Sequence, residues 1–497
     1  MKPMGTITKY YPFIDDESKS ILDSIMEESS SYYDFVQQLS ATVLENEVPV
    51  NLAYIAAVQA WWCRIQDSMD RIQEKYRDVP YIRPWGYAHT TLEDDQIRHH
   101  DNVVEAIEEL IEINPDDWIL AELHLLHAHF HHPMFGDIPS LLEPVEKVKQ
   151  LIEINSLLKC FESQACFYEG WAKRIEGDIE DAFAVYKRGV QLAETHDDAL
   201  HKYLNLSGLG DALKNVNIQD AIAWFEKSYS VVQDLEVPFL EAEVLHDSGL
   251  VFLVAGEYDL AISCYVESSK YYGSPSPMLA RIYVDLGDGQ QALDIINRYL
   301  EQFGHAEASM ALISKARAFA LLNRLDEAQQ CLDNVSELVM KSGLDRQLGR
   351  YYEALALLEL AKHDYLSALD FFEKSWHIFE RVGEMTGEKN RALLGLARAE
   401  ILLDKQSDDV KKSIPCGRWL SKLDKYASEQ DLPGIRMQAA LLKSEFYQNH
   451  GQHKDAQAVL QEALNITDSR GVLTLRKRIN NQIQELDRLI HDEGLVS

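Results

Sequence analysis

The sequence predicts an all-α chain, a solenoid of stacked helix–turn–helix units preceded by a helical region. Three observations predict it. Apolar residues recur at spacings of three and four almost throughout the 497 residues, the periodicity of one helix face. Strand signals are nearly absent, because no run of alternating β-branched residues sits between Asn-Gly-type turns. One pattern of small, large and turn-forming residues, clearest in GLVFLVAGEYDLAISCYVES at 249–268, returns down most of the chain. A unit of two helices cannot bury its apolar faces alone, so neighbouring units must stack.

Taken in order, residues 1–156 form an N-terminal helical region. Helical patterns run over Ser18–Glu45, Val50–Tyr76, Asp94–Ile113 and Asp116–His131, and the acidic, aromatic joint DVPYIRPWGYAHTTLEDD separates the second from the third. The region reads either as divergent repeats or as an accessory helical bundle. Residues 157–470 carry about eight repeat units. In the clearest one, the first helix covers about Phe239–Ala255 and the second about Tyr258–Ser269. Gly249 lets a neighbouring helix approach, and Gly256 supplies the left-handed turn. Ala261 leaves room at the crossing, Tyr265 fills the gap between helices, and Ser268 lets the next unit pack. Equivalent sets recur as Gly170, Gly177, Ala182 and Tyr186, as Ala280, Tyr283, Gly287 and Ala292, and as Tyr447, Gly451, Ala456 and Leu460. Residues 471–497 read as a C-terminal capping helix and tail, since a terminal repeat needs a polar outer face.

This spacing resembles the tetratricopeptide repeat, and the longer units are similar to those of kinesin light chains and MalT-like regulators. The resemblance implies a right-handed superhelix with the first helix of each unit on the concave face. By that register the groove is lined by Phe167, Trp171, Glu243, His246, Leu250, Arg281, Arg317, Arg350, Glu353 and Leu357. Phe167 and Trp171 would anchor a partner side chain, since aromatic and Arg residues dominate binding hot spots. Arg281, Arg317 and Arg350 come from successive units and would form a ladder for carboxylates. The competing reading is that these arginines neutralise acidic neighbours. The lysine-and-asparagine clamp of tetratricopeptide co-chaperones is not visible, because its positions hold Phe167 and Trp171 in one unit and His246 and Leu250 in another.

Composition narrows the function. The formal net charge of -33 repels phosphate backbones, which disfavours nucleic acid and anionic membranes and steers a basic partner toward the chain. The same acidic faces also serve solubility alone. Cys63, Cys160, Cys166, Cys264, Cys331 and Cys416 form no C-x-x-C pair, and MKPMGTITKYYPFIDDE has no apolar signal core, so a cytoplasmic protein is expected. The longest apolar stretch, Leu52–Cys63, is shorter than the roughly 20 residues that span a bilayer.

Three further features bear on function. His124, His127 and His131 share a helix face in ELHLLHAHFHH, a metal-ligand spacing but also an ordinary packing pattern. Lys411, Lys412, Arg418, Lys422 and Lys425 surround Trp419 and read as a solvated face or an anion-docking island. No phosphate-binding loop, nucleophile elbow or dinucleotide fingerprint occurs. The expectation is a non-catalytic scaffold without cofactor, binding a peptide or protein segment in its groove. Its rivals are a peptide-responsive sensor acting on another protein and a metal-dependent enzyme built on the histidine-rich helix.

Overall fold

The computed structural model describes residues 5–82, 96–113, 115–130, 138–273, 275–303, 308–342, 344–382, 386–406 and 417–496. Every regular element among them is helical. The chain divides into two compact units, Met1–Leu213 with Gln219–Val244, and Lys214–Ile218 with Leu245–Ser497.

In the first unit the periodicity at Ser18–Glu45 and Val50–Tyr76 proves to span two helices each. Asp16–Glu28 ends before Ser31, whose hydroxyl accepts the Asp34 amide at 3.1 Å and starts Tyr32–Glu45. Val50–Trp62 stops at Arg64, which adopts a left-handed backbone (φ 55), and Gln66–Lys75 follows. The apolar face continues across both breaks, so spacing alone cannot reveal them. After the helices Gln96–Glu112, Asp117–Phe130 and Ile138–Ile154 come the first repeat helices, Glu162–Glu176 with Ile179–Thr195, then Ala199–Leu213 and Ile218–Leu235. Tyr186 is fully buried between successive units. A Cβ at Gly170 would lie 2.7 Å from its ring and one at Gly208 2.3 Å, so both glycines are fixed by helix approach.

The second unit takes over within Pro238–Ala255, pairs it with Tyr258–Tyr272, and continues through five more pairs. Their first helices are Pro277–Leu286, Ala308–Leu321, Asp345–Ala361, Thr386–Gln406 and Pro433–Asn449. Their second helices are Gly289–Phe303, Leu325–Ser342, Tyr365–Val382, Arg418–Glu429 and His453–Ala463, and Leu473–Val496 ends the array. Gly256 turns with φ 76, as the repeat pattern requires. Elsewhere the same turn uses Asn323 (φ 57) and His363 (φ 62), and Asp431 (φ 48) makes the turn between the last two pairs; the glycine pattern flags none of the three.

This unit curls until its two ends meet. The Gly256 and Gly434 backbones touch so closely that a Cβ on Gly434 would lie 2.1 Å from the Gly256 carbonyl oxygen. Asn390 donates to the Val254 carbonyl at 2.9 Å, and Gln438 to the Tyr258 hydroxyl at 2.8 Å. Thr474 binds the Asp259 carboxylate through its amide (2.9 Å) and hydroxyl (2.6 Å). Arg281, Arg317 and Glu353, placed on the inner helices by register, are buried.

Candidate functional site

Of the ten groove residues, Phe167, Trp171 and Glu243 belong to the first unit and the other seven to the second. Phe167 and Trp171 are half-buried on one helix, with ring centroids 6.1 Å apart. His246 packs edge-on against Tyr265 at 5.2 Å, while Leu250 and Leu357 are half-buried. The structure brings four of the ten together: Arg281, Arg317, Arg350 and Glu353.

These four come from three successive inner helices, Pro277–Leu286, Ala308–Leu321 and Asp345–Ala361. The arginines do not form an open ladder. Arg317 Nη2 bridges Asp285 Oδ1 (3.2 Å) and Glu353 Oε1 (2.9 Å). Arg350 Nη2 binds Glu388 Oε1 at 2.6 Å, and Arg281 Nη1 reaches the same oxygen at 3.5 Å. Arg391, on Thr386–Gln406, donates from Nε to both Glu353 oxygens at 2.9 and 3.2 Å. Its Nη2 lies 3.9 Å from Glu388 Oε1. The neutralising reading of the arginines is therefore what the geometry shows for most of their donors. Asp285, Glu388 and Arg391 were not anticipated. Asp285 follows Arg281 by four residues, and Glu388 and Arg391 sit one turn apart, so helical spacing from the known arginines was the available signal.

Four guanidinium groups (Arg281, Arg317, Arg350, Arg391) thus face three carboxylates (Asp285, Glu353, Glu388). Burial raises the Glu388 carboxyl, but Arg281 and Arg350 outweigh it and hold the group down at about 2. At Glu353 burial wins against Arg317 and pushes the carboxyl up to about 7. The cluster therefore keeps a positive surplus at neutral pH inside an acidic chain.

Beside it lies a cavity of about 70 Å³, lined by Met278, Ile296, Tyr299, Met310 and all four arginines. Arg281, Arg317 and Arg391 are each more than nine-tenths buried. Arg281 Nε, Arg317 Nε and Arg391 Nη2 make no hydrogen bond. Leaving such donors buried costs about 1–3 kcal/mol each.

The first unit buries a different network. Lys9 Nζ faces Glu122 Oε1 at 3.5 Å, Tyr10 donates its hydroxyl to the same oxygen at 2.8 Å, and Gln59 donates to Tyr10 at 3.1 Å. Nearby, the Asp198 carboxylate pairs with the His201 ring at 2.6 Å and accepts the Thr6 hydroxyl at 2.9 Å. Burial raises Asp198, but His201 outweighs it and holds the carboxyl far below the usual range.

The histidine-rich helix disperses its rings. His124 is half-buried and pushed down by burial to about 4, His127 faces Glu108 at 3.7 Å, and His129 packs on Trp61 at 5.1 Å. His131 lies outside the described residues. Among the described residues no three His, Cys, Asp or Glu side chains are placed to hold a metal ion. In the basic island, Arg418 and Lys422 lie over the Trp419 ring at 4.8 and 5.1 Å, and Lys425 pairs with Glu429 at 3.7 Å. Lys411 and Lys412 lie outside the described residues. No described helix is long and apolar enough to cross a membrane.

No protein-family model and no curated protein matches the chain. Solved structures similar to it include yeast Tom70, at 12% identity and TM-score 0.35, with 95% of this chain and 96% of that one covered. A Rap protein complexed with competence and sporulation factor aligns at 12% identity and TM-score 0.37, covering 77% and 99%. A tetratricopeptide repeat protein from Parabacteroides merdae aligns at 14% identity and TM-score 0.29, covering 65% and 98%. Likenesses this distant carry nothing about function. The paired helices, their left-handed turns and the glycine–tyrosine contacts between successive units make the chain, in fold, a tetratricopeptide-like helical repeat protein.

Proposed function

We propose that the chain is a non-catalytic interaction scaffold that captures a peptide or protein segment on the inner faces of its repeat helices. One observation carries this reading. Inner helices of successive repeats converge on a cavity that joins apolar side chains to hydrogen-bond donors without acceptors. At about 70 Å³ it has room for about five water molecules, so it suits one side chain rather than a whole metabolite or cofactor. The preformed helices limit the ordering cost of binding. The net charge of -33 favours a segment that is basic overall. Support for a cytoplasmic setting comes from Cys63, Cys160, Cys166, Cys264 and Cys331, all free thiols.

The test is an array of 12-residue peptides of varied charge, probed with the purified full chain. Selective capture of a subset enriched in lysine and arginine, weakening as salt rises, is expected. Uniform or absent capture would contradict the reading.

A further inference from the structure

The arginine cluster sets four guanidinium groups against three carboxylates, and it borders a cavity. Arg281 makes the longest direct ion pair of the four guanidinium groups, although Asp285 and Glu353 as well as Glu388 favour its charge. Its ion pair is with Glu388 at 3.5 Å, and Arg350 already holds that oxygen at 2.6 Å. A buried charge without a full partner is costly, whereas a paired and hydrogen-bonded one is tolerated. The donors without acceptors, Arg281 Nε, Arg317 Nε and Arg391 Nη2, all belong to residues lining the same cavity. Most of the rest of its wall is apolar, including Met278, Ile296, Met310, Ile313 and Tyr299, and Ser314 adds a hydroxyl. Arg350 is the most exposed of the four, with 19% of its side chain accessible.

We infer that this cavity receives one carboxylate from the captured segment, its alkyl stem lying against Met278 and Met310 and its oxygens accepting from the unpartnered guanidinium donors. The inference rests on the peptide-capture reading above and adds what the peptide must carry. Guanidinium suits the planar two-oxygen head of a carboxylate. The cavity volume matches a carboxylate with a short stem. The acidic exterior does not forbid this ligand. Surface charge is screened over about 8 Å at physiological salt, while contacts in a buried site are screened far less. The segment is then basic along its length, with a single carboxylate from either an acidic side chain or a free C-terminus.

Three pools of basic 12-residue peptides, randomised at all but one position, separate the sources. The fixed residue is Glu in the first pool and Gln in the second, both with amidated ends. The third pool has Gln and a free terminal carboxylate. Capture on the immobilised full chain is quantified by mass spectrometry. The first or third pool should be retained at least about tenfold better than the second, a difference of about 1.4 kcal/mol. Whichever pool leads identifies the carboxylate as side chain or terminus. The advantage should vanish in Arg281→Met. It should vanish also in Ala311→Leu, which fills the cavity from a lining position while leaving every arginine in place. Equal retention of all three pools would overturn the carboxylate inference and leave peptide capture standing. Retention of none would overturn both. An advantage that survives in both variants would move the carboxylate elsewhere and overturn the site.

Discussion

The two units bury charge in opposite ways. In the first, each buried carboxylate among the described residues has its own basic partner: Lys9 faces Glu122, and the His201 ring faces Asp198. Tyrosine, glutamine and threonine add hydrogen bonds, although Glu122 Oε2 and His201 Nε2 stay buried without one. In the second, four arginines share three carboxylates, and three donors are left over beside a cavity. Desolvation makes an unbalanced charge expensive, so a balanced network is explained by the fold alone. A surplus calls for a partner from outside. The difference separates structural burial of charge from burial that serves recognition.

The comparison can be broken by unbalancing either side. The largest effect should come from Lys9→Met, which takes the facing cation from buried Glu122 and should lower unfolding stability by about 4 kcal/mol in urea titrations. Glu388→Gln should follow at about 3 kcal/mol at pH 7, the worth of a carboxyl held near 2 against its usual 4.5. The sign is set by a depressed pKa. The stabilisation is complete above about 4.5 and is lost as pH falls toward 2, so the gap between wild type and Glu388→Gln should close over that window. Asp198→Asn should cost about 2 kcal/mol, because the neutral amide weakens the bonds from His201 and Thr6. A gap between wild type and Asp198→Asn that stays constant on acidification would contradict the lowered Asp198 pKa.

Much of this was legible in the sequence. The repeat register placed Arg281, Arg317, Arg350 and Glu353 on inner helix faces, and the structure brings those four together. It could not show that the two ends of the second unit meet. Closure comes from a small rotation between units, summed over six pairs, and is sealed by Gly256 against Gly434. That contact links residues far apart in sequence, so no local pattern records it. For the same reason the arginine ladder read as an open surface, and its partners Asp285, Glu388 and Arg391 went unnoticed. In the N-terminal region the breaks at Ser31 and Arg64 interrupt helices without interrupting apolar spacing. There the turn chemistry, a serine cap and one left-handed residue, carried information that periodicity did not.

The smallest expected stability change is also the most telling. Urea unfolding of Arg281→Met, in buffer without peptide, asks whether the fold needs its fourth buried guanidinium. If that charge is surplus, the variant should be within about 1 kcal/mol of wild type or more stable, since Glu388 keeps Arg350 and a buried apolar chain replaces an ion whose one direct pair lies at 3.5 Å. A loss of about 3 kcal/mol or more would show that Arg281 is a structural counter-ion like Lys9, and the two units would then bury charge for the same reason.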